Sequence, residues 1–229
     1  FLKVWDGDIP EHSALGEAGP LSGLSPEFAE VTQHLTSLCR SIQQYQLPTN
    51  PGQIPELVQH LVKPEAPSVR FARESSLLDL DGNKQSAGFS PIPINGLIWM
   101  GDFNFMKKQV DEKVAEGYRC IKIKIGAIEF ERECALLEYI RKSFDQDIVL
   151  RVDANGAFTT GNVVERLKHL SRFKLHSIEQ PVKPGQPKLL QRLCLDPLVP
   201  VALDEELIGI TDPIQQEALL DFIKPQYVV

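Results

Sequence analysis

The chain of 229 residues contains no run of eighteen apolar residues, so the sequence offers no segment able to cross a bilayer as a helix. It also lacks a charged segment followed by an apolar stretch at its start, and we predict no signal peptide. The first residue is not methionine, and the chain opens inside a strand-like pattern at Phe1–Trp5. We therefore expect the intact protein to be longer.

Cysteine is scarce, and its spacing forms no recognisable site. None of the four forms a C-x-x-C pair, which argues against a zinc site and against a dense disulfide framework; they are Cys39, Cys120, Cys134 and Cys194. Free thiols that pack as small hydrophobic side chains are the simplest interpretation. This usage predicts a reducing, cytoplasmic location.

An excess of basic residues is also absent. The formal net charge is −7, which argues against a general nucleic-acid binder, because such proteins need a basic surface to replace counterions. A glycine-rich G-x-G-x-x-G turn does not follow the first strand of the second region described below, which disfavours a dinucleotide-binding fold. The sequence thus predicts neither a nucleic-acid partner nor a membrane partner, and it leaves a homo-oligomer open.

Two regions differ in pattern, and we predict a domain boundary between residues 88 and 89. The first, residues 1–88, reads as a partial α+β domain. Its expected elements are a strand at Phe1–Trp5, turns over residues 16–23, a helix started by Ser25 and Pro26, a loop at Leu47–Pro55 and a helix at Val69–Leu80.

The second region, residues 89–229, alternates short apolar strands with amphipathic helices. Six such repeats predict parallel strands of a (β/α) barrel, with a doubly wound open sheet as the alternative. Six strands cannot close a barrel, so we expect it to be C-terminally incomplete in this chain. The strand candidates are Ile92–Trp99, Cys120–Ile125, Ile148–Asp153, Ser177–Glu179, Val201–Asp204 and Tyr227–Val229.

Two lysines lie where a buried strand should be apolar. In the sequence Ile-Lys-Ile-Lys-Ile, Lys122 and Lys124 point to one face and the isoleucines to the other, because side chains alternate along a strand. In a barrel the lysines would face the interior. Burying two ammonium groups is unfavourable unless anions meet them; an amphipathic edge strand with solvated lysines is the alternative.

Acidic residues end three consecutive strands of this region. Asp153, Glu179 and Asp204 each stand at the C-terminal end of a strand, where barrel active sites are built. One acid alone would be read as a helix N-cap. Three acids in neighbouring repeats would repel each other, and a divalent cation removes that repulsion. Oxygen ligands without histidine or cysteine predict Mg²⁺, or else Mn²⁺, rather than zinc.

These residues carry a family resemblance that covers nearly the whole chain. Lys-Ile-Lys at 122–124, Asp-Ala-Asn at 153–155, Glu-Gln-Pro at 179–181 and Leu-Asp-Glu at 203–205 resemble the barrel of the enolase superfamily, muconate-lactonizing branch. In the first region, residues 16–21 and 71–80 resemble the capping domain of that branch. The resemblance implies a modified TIM barrel behind an N-terminal α+β capping domain.

The resemblance also implies roles for individual residues. Lys124 would be the acid/base catalyst, and Lys122 would help it lose its proton and help hold a small-molecule carboxylate substrate. Asp153, Glu179 and Asp204 would be the Mg²⁺ ligands. From their positions rather than from the resemblance, Asn155 and Glu205 flank the ligands and would serve as supports. Arg151 lies two residues before Asp153 and would pair with the acids or fill the interior.

Within the branch, Pro-Ile-Asn-Gly-Leu at 93–97 most resembles the o-succinylbenzoate synthases of menaquinone biosynthesis. Dipeptide epimerases, N-acylamino-acid racemases and muconate cycloisomerases remain alternatives, and a non-catalytic ligand-binding barrel is an alternative of another class. One departure concerns the second catalytic lysine that the family carries on barrel strand 6. Lys224 precedes the apolar strand, so we predict that it lies in a loop and that the strand-6 lysine follows Val229.

Overall fold

The structure is a computed structural model that describes residues 1–7, 9–41, 50–82, 91–144 and 147–229. The chain divides into two compact units. One comprises Phe1–Ser90 with Ile208–Pro213, and the other comprises Pro91–Leu207 with Ile214–Val229. The boundary predicted after residue 88 falls outside the described residues.

The first unit is an α+β arrangement around its own apolar core. Two strands pair antiparallel and three α-helices follow: β1 (Leu2–Asp6), β2 (Ile9–Gly16), α1 (Val31–Ser41), α2 (Ile54–Leu61) and α3 (Pro67–Gly82). Side chains from both strands and all three helices bury together, as the hydrophobic effect requires of so small a unit. They include Val4, Ala14, Leu38, Val58 and Ala72.

The helix expected from Ser25 instead begins six residues later, at Val31. The Ser25 hydroxyl accepts a hydrogen bond from Leu21 N, which precedes it, and therefore does not cap a following helix. Two further expectations need correction. Strand β2 has no counterpart among the predicted elements. The loop expected at Leu47–Pro55 contains a 3₁₀ turn at Pro51–Gln53 and the start of α2 at Ile54, and its residues 47–49 lie outside the described part.

The second unit is a parallel six-stranded sheet in which each strand pairs with the next one along the chain. This unreversed order supports the barrel arrangement over a doubly wound sheet, whose order reverses at a switch point. The elements are β3 (Gly96–Ile98), α4 (Phe103–Ala115), β4 (Cys120–Lys124), α5 (Phe130–Ser143), β5 (Val149–Asp153), α6 (Val163–Leu170), β6 (Ser177–Glu179), α7 (Pro187–Leu195), β7 (Val201–Leu203), α8 (Pro213–Ile223) and β8 (Tyr227–Val228).

The two faces of β4 differ in the way the sequence predicts. Ile121 and Ile123 are buried, at 0% and 1% exposure, within the core that the helices cover. Lys122 and Lys124 lie on the opposite face, with side chains 15% and 16% exposed. The prediction of inward-facing lysines is therefore supported over the alternative of a solvated edge.

Strand β3 is shorter than expected, since only Gly96–Ile98 of Ile92–Trp99 pairs with β4. Pro91 and Pro93 have no N–H to donate to a neighbouring strand, and Ile92 is 83% exposed.

Among the helices of the described residues, none is long and apolar enough to span a bilayer.

The four thiols should differ in reactivity according to their burial. Cys39 is exposed, whereas burial raises the pKa of the Cys194 thiol to about 11. Because the thiolate is the reactive form, we expect a disulfide reagent at pH 8 to modify Cys39 first and Cys194 at least ~100-fold more slowly. Mass spectrometry of timed samples would measure the rate of modification at each cysteine. Denatured protein is the control, in which all four cysteines should react. Equal rates for Cys39 and Cys194 in the native protein would contradict the burial of Cys194.

Candidate active site

Four of the predicted site residues, Lys122, Lys124, Asp153 and Glu179, meet toward the C-terminal ends of β4, β5 and β6, whereas Asp204 follows β7. In the strand register Lys124 lies beside Asp153, and Asp153 lies beside Glu179. Side chains that are side by side in a parallel sheet point to the same face. Asp153 and Glu179 are almost fully buried, at 0% and 2% exposure. Two buried carboxylates thus stand next to each other, facing the two lysines of β4.

Ion pairs satisfy most of this buried charge. Lys124 Nζ lies 2.6 Å from Asp153 Oδ2 and donates at 3.0 Å to the side-chain oxygen of Asn155. Lys122 Nζ lies 3.2 Å from Asp153 Oδ2 and donates to Glu179 Oε1 at 2.7 Å. Charge-assisted hydrogen bonds of this length are among the stronger polar contacts in proteins, so the lysines compensate the charge of the buried acids.

The pKa directions report the same competition between burial and pairing. Burial acts to raise the pKa of Asp153, but the hydrogen bond from Lys124 and the nearby charges hold it below its ordinary value. Burial raises the pKa of Glu179 and the charge of Asp153 adds to this, against the opposing effect of Lys122. For Lys122, burial acts to lower the pKa, yet the contacts with Glu179 and Asp153 outweigh it and raise the value.

Asp204 follows β7 and is only partly buried. Burial raises the pKa of its carboxyl, and the charges of Glu205 and Asp153 raise it further. This is the carboxylate repulsion that the sequence predicts when three acids end neighbouring strands.

The chemistry of the three carboxylates fits a divalent cation, although their side chains do not converge closely enough to coordinate one. In the described ranges, no three acidic, histidine or cysteine side chains are drawn together tightly enough to hold a metal ion. The lysine ammonium groups contact Asp153 and Glu179 instead. Oε2 of Glu179 is buried and accepts no hydrogen bond, although Lys122 Nζ is 2.7 Å away. That oxygen therefore already meets a cationic group, and it is the all-oxygen chemistry of the three carboxylates that suits Mg²⁺.

The residues expected to support the site are present, with different strengths of contact. Asn155 donates to Glu205 Oε1 at 2.7 Å, and its backbone N–H donates to Asp153 Oδ1 at 3.0 Å. Arg151 faces the acids, but its guanidinium lies 3.9 Å from Glu179, which is the outer limit of an ion pair.

Lys224 lies after α8 with a left-handed φ of 56°, so the prediction that it is a loop residue is confirmed.

Two further residues, to which the sequence assigns no individual role, lie at the same end of the sheet. Trp99 follows β3, and Lys124 Nζ lies 6.0 Å from the centre of its ring. Gln180 follows Glu179 and is fully buried. Neither side chain carries a charge. Gln180 adjoins Glu179 in the sequence, whereas only the fold brings Trp99 near Lys124.

A groove of about 1050 Å³ on another face of this unit lies between α5 and α6. Its charged lining is mixed in sign, with Glu138 and Lys142 paired to each other at 2.6 Å. None of the clustered acids or lysines described above lines it. We place the functional site at the strand ends, because there buried charges of both signs converge with perturbed pKa values.

Comparison with known proteins identifies the family of the second unit. Residues 105–226 match the family described as enolase C-terminal domain-like. An o-succinylbenzoate synthase of Desulfotalea psychrophila is 51% identical over 172 residues, which cover 71% of this chain and 46% of that protein. The chain thus spans about half the length of this curated relative.

Solved structures give the same comparison in three dimensions. MenC from Desulfotalea psychrophila has a TM-score of 0.75 and 38% identity, covering 95% of this chain and 68% of that one. An o-succinylbenzoate synthase of Thermosynechococcus elongatus, complexed with Mg in the active site, has a TM-score of 0.63 and 23% identity, covering 84% and 57%. The latter likeness bears on the fold alone.

The loop after Asp153 depends on a glycine. Gly156 has φ +72°, and an added Cβ would lie 2.9 Å from the Lys183 backbone. We therefore expect Gly156→Ala to lower the free energy of unfolding by about 2–4 kcal/mol, from left-handed strain plus the clash. Urea unfolding would measure this.

Two glycine variants serve as matched controls. Gly117 has φ +91° with open space around it, so Gly117→Ala should cost only about 1–2 kcal/mol. Gly161 has no positive φ and its nearest neighbour would be 3.9 Å away, so Gly161→Ala should stay within about 0.5 kcal/mol. Equal costs for all three would show that the close approach at Gly156 is wrong.

Proposed function

The chain belongs to the enolase C-terminal domain-like family of the enolase superfamily, and on that premise we propose that it acts as an o-succinylbenzoate synthase, a carbon–oxygen lyase. The substrate class we propose is a small carboxylate that loses a proton from its α-carbon and then a hydroxyl group. The similarity to an o-succinylbenzoate synthase at 51% identity supports this choice over other members of the superfamily.

One observation carries the proposal, namely the contact of Lys124 with Asp153 at the end of β5. Lys124 Nζ lies 2.6 Å from Asp153 Oδ2, with Glu179 in the adjoining register position. A purely structural ion pair would not need a second lysine, a second buried acid and a third acid on the next strand. This convergence is typical of a site for acid–base chemistry.

We further propose that Asp153, Glu179 and Asp204 hold Mg²⁺, with Mn²⁺ as a substitute. The raised pKa of Asp204 supports this, since a cation would relieve the repulsion among the three carboxylates. Bound there, the ion would serve as a Lewis acid toward the substrate carboxylate.

The chain's own residues then supply the proton chemistry. Lys124 would accept the α-proton at Nζ as the carbon–hydrogen bond breaks. It would return that proton to the departing hydroxyl, so that water leaves as the carbon–carbon double bond forms. Lys122 would stay protonated, since its pKa is raised, and its charge would help hold the substrate carboxylate. Positioned acid–base catalysis of this kind contributes about 10²–10⁴-fold.

A cellular setting follows from the same proposal. An o-succinylbenzoate synthase would serve menaquinone biosynthesis, and the four free cysteines suit the reducing cytoplasm that we predict. The proposed partner is therefore a small molecule.

The role of Lys124 can be tested by its removal. In the full-length protein, Lys124→Ala should lower turnover of the o-succinylbenzoate precursor by at least ~10²-fold, because the proton acceptor is lost. Mg²⁺ should still bind, because the variant retains all three acids and frees Asp153 of one ammonium contact. Steady-state kinetics and calorimetric Mg²⁺ titration would measure the two effects.

A distant lysine provides the control. The side chain of Lys108 on α4 is 75% exposed and pairs with Glu112 at 3.7 Å on the same helix, so Lys108→Ala should keep turnover within about 2-fold. Substantial turnover by Lys124→Ala would refute its assignment as the base. If the protein exchanges the α-proton of N-acyl amino acids in D₂O but does not dehydrate the precursor, a racemase or epimerase is favoured instead. If it binds no divalent metal, a non-catalytic barrel is favoured.

A further inference from the structure

Gln180, the residue directly after Glu179, is fully buried although its side chain is polar. Its backbone adopts a left-handed conformation, with φ 37°, which is unfavourable for a residue with a Cβ. A buried amide in a strained backbone persists only where surrounding contacts hold it. The contacts made by this residue reach three loops at the end of the sheet.

The side chain of Gln180 joins its own loop to the loop after β7. Its Oε1 accepts hydrogen bonds from the backbone N–H groups of Asp204 at 3.3 Å and Glu206 at 3.1 Å. Its Nε2 donates to the carbonyl oxygen of Val182 at 2.9 Å. The amide thus fixes the backbone of one acid, Asp204, relative to the strand that carries another, Glu179.

The backbone of Gln180 extends the same connection to both sides. Its N–H donates to the carbonyl oxygen of Ala202 at 2.9 Å, and its carbonyl accepts from Gly156 N at 2.7 Å. Gly156 belongs to the loop that follows Asp153. One residue therefore contacts the segments that follow all three acids.

These contacts indicate a structural rather than a direct chemical role for Gln180. Both polar atoms of its buried side chain are engaged by backbone groups of the protein. Held in this way, the amide is placed to set where the acids stand. Because the amide is buried, water cannot replace a lost hydrogen bond, and the loop after β7 would lose its attachment.

We propose that Gln180 is the positioning residue that fixes the spacing of Asp204 from Glu179 and thereby sets the affinity of the site for Mg²⁺. This inference rests on the proposed function, in which those acids are the ligands. Groups that orient metal ligands contribute typically about 10–100-fold to metal affinity. Mg²⁺ is sensitive to such spacing, because it demands near-ideal octahedral geometry.

The test uses the full-length protein and Gln180→Met, which keeps the length of the side chain but removes its hydrogen bonds. Calorimetric titration with Mg²⁺ alone, without substrate, should show an affinity about 10–100-fold weaker than that of the wild type. Amide hydrogen exchange without metal should become faster at Asp204 and Glu206. Exchange at Gly156 should stay slow, because its acceptor is the Gln180 backbone carbonyl.

Gln186→Met is the matched control, since Gln186 makes one side-chain hydrogen bond, to Lys183 O, within its own loop. It should leave both Mg²⁺ affinity and the two amides unchanged. If Gln180→Met does not fold, Gln180→Asn applies the same test, since its shorter amide cannot reach both loops.

The outcomes separate the two proposals. Unchanged Mg²⁺ affinity in the folded Gln180 variant would overturn the positioning role. Absence of Mg²⁺ binding by the wild type would instead overturn the proposed ligand set. In that case the amide hydrogen-exchange rates still decide whether Gln180 holds the loop after β7. Unchanged rates at Asp204 and Glu206 in the Gln180 variant would overturn this attachment as well.

Discussion

The pairing of two lysines with two buried acids is the interaction on which the rest of the site depends. Lys122 and Lys124 face the interior because Ile121 and Ile123 must lie beneath the helices, and alternation along β4 leaves the lysines no other side. Ammonium groups with so little exposure need anions within reach. The acids that end β5 and β6 meet that need, with contacts of 2.6 to 3.2 Å to Asp153 and Glu179.

The buried ion pairs indicate a reactive site rather than a device for packing. A buried ion pair contributes little net stability, because desolvation offsets most of its Coulomb energy, so a structure gains little by keeping one for packing alone. Loops stabilise the arrangement from outside the sheet. Gly156 approaches the chain at Lys183 more closely than a residue with a Cβ could, and Gln180 holds the loop that carries Asp204. The acids are therefore held by backbone contacts as well as by charge.

Much of this could be predicted from the sequence, because the informative signals are local. The Ile-Lys-Ile-Lys-Ile alternation shows which face of β4 is buried, and one acid per repeat shows where each strand ends. Other features depend on contacts between distant segments. Ser25 resembles a helix cap but accepts its hydrogen bond from the preceding Leu21, and Gln180 has no role until the loop after β7 lies against it. Strand β3 is shorter than the apolar pattern around it predicts, because Pro91 and Pro93 cannot donate to a neighbouring strand.

The central claim is that Asp153, Glu179 and Asp204 share one cation, which takes over from Lys124 at Asp153. A crystal of the full-length protein grown with Mn²⁺ would test this most directly, through the anomalous signal of the ion. The account predicts one peak bonded to all three carboxylates, with Lys124 Nζ no longer in contact with Asp153. A peak elsewhere, or none together with an intact contact between Lys124 and Asp153, would contradict it.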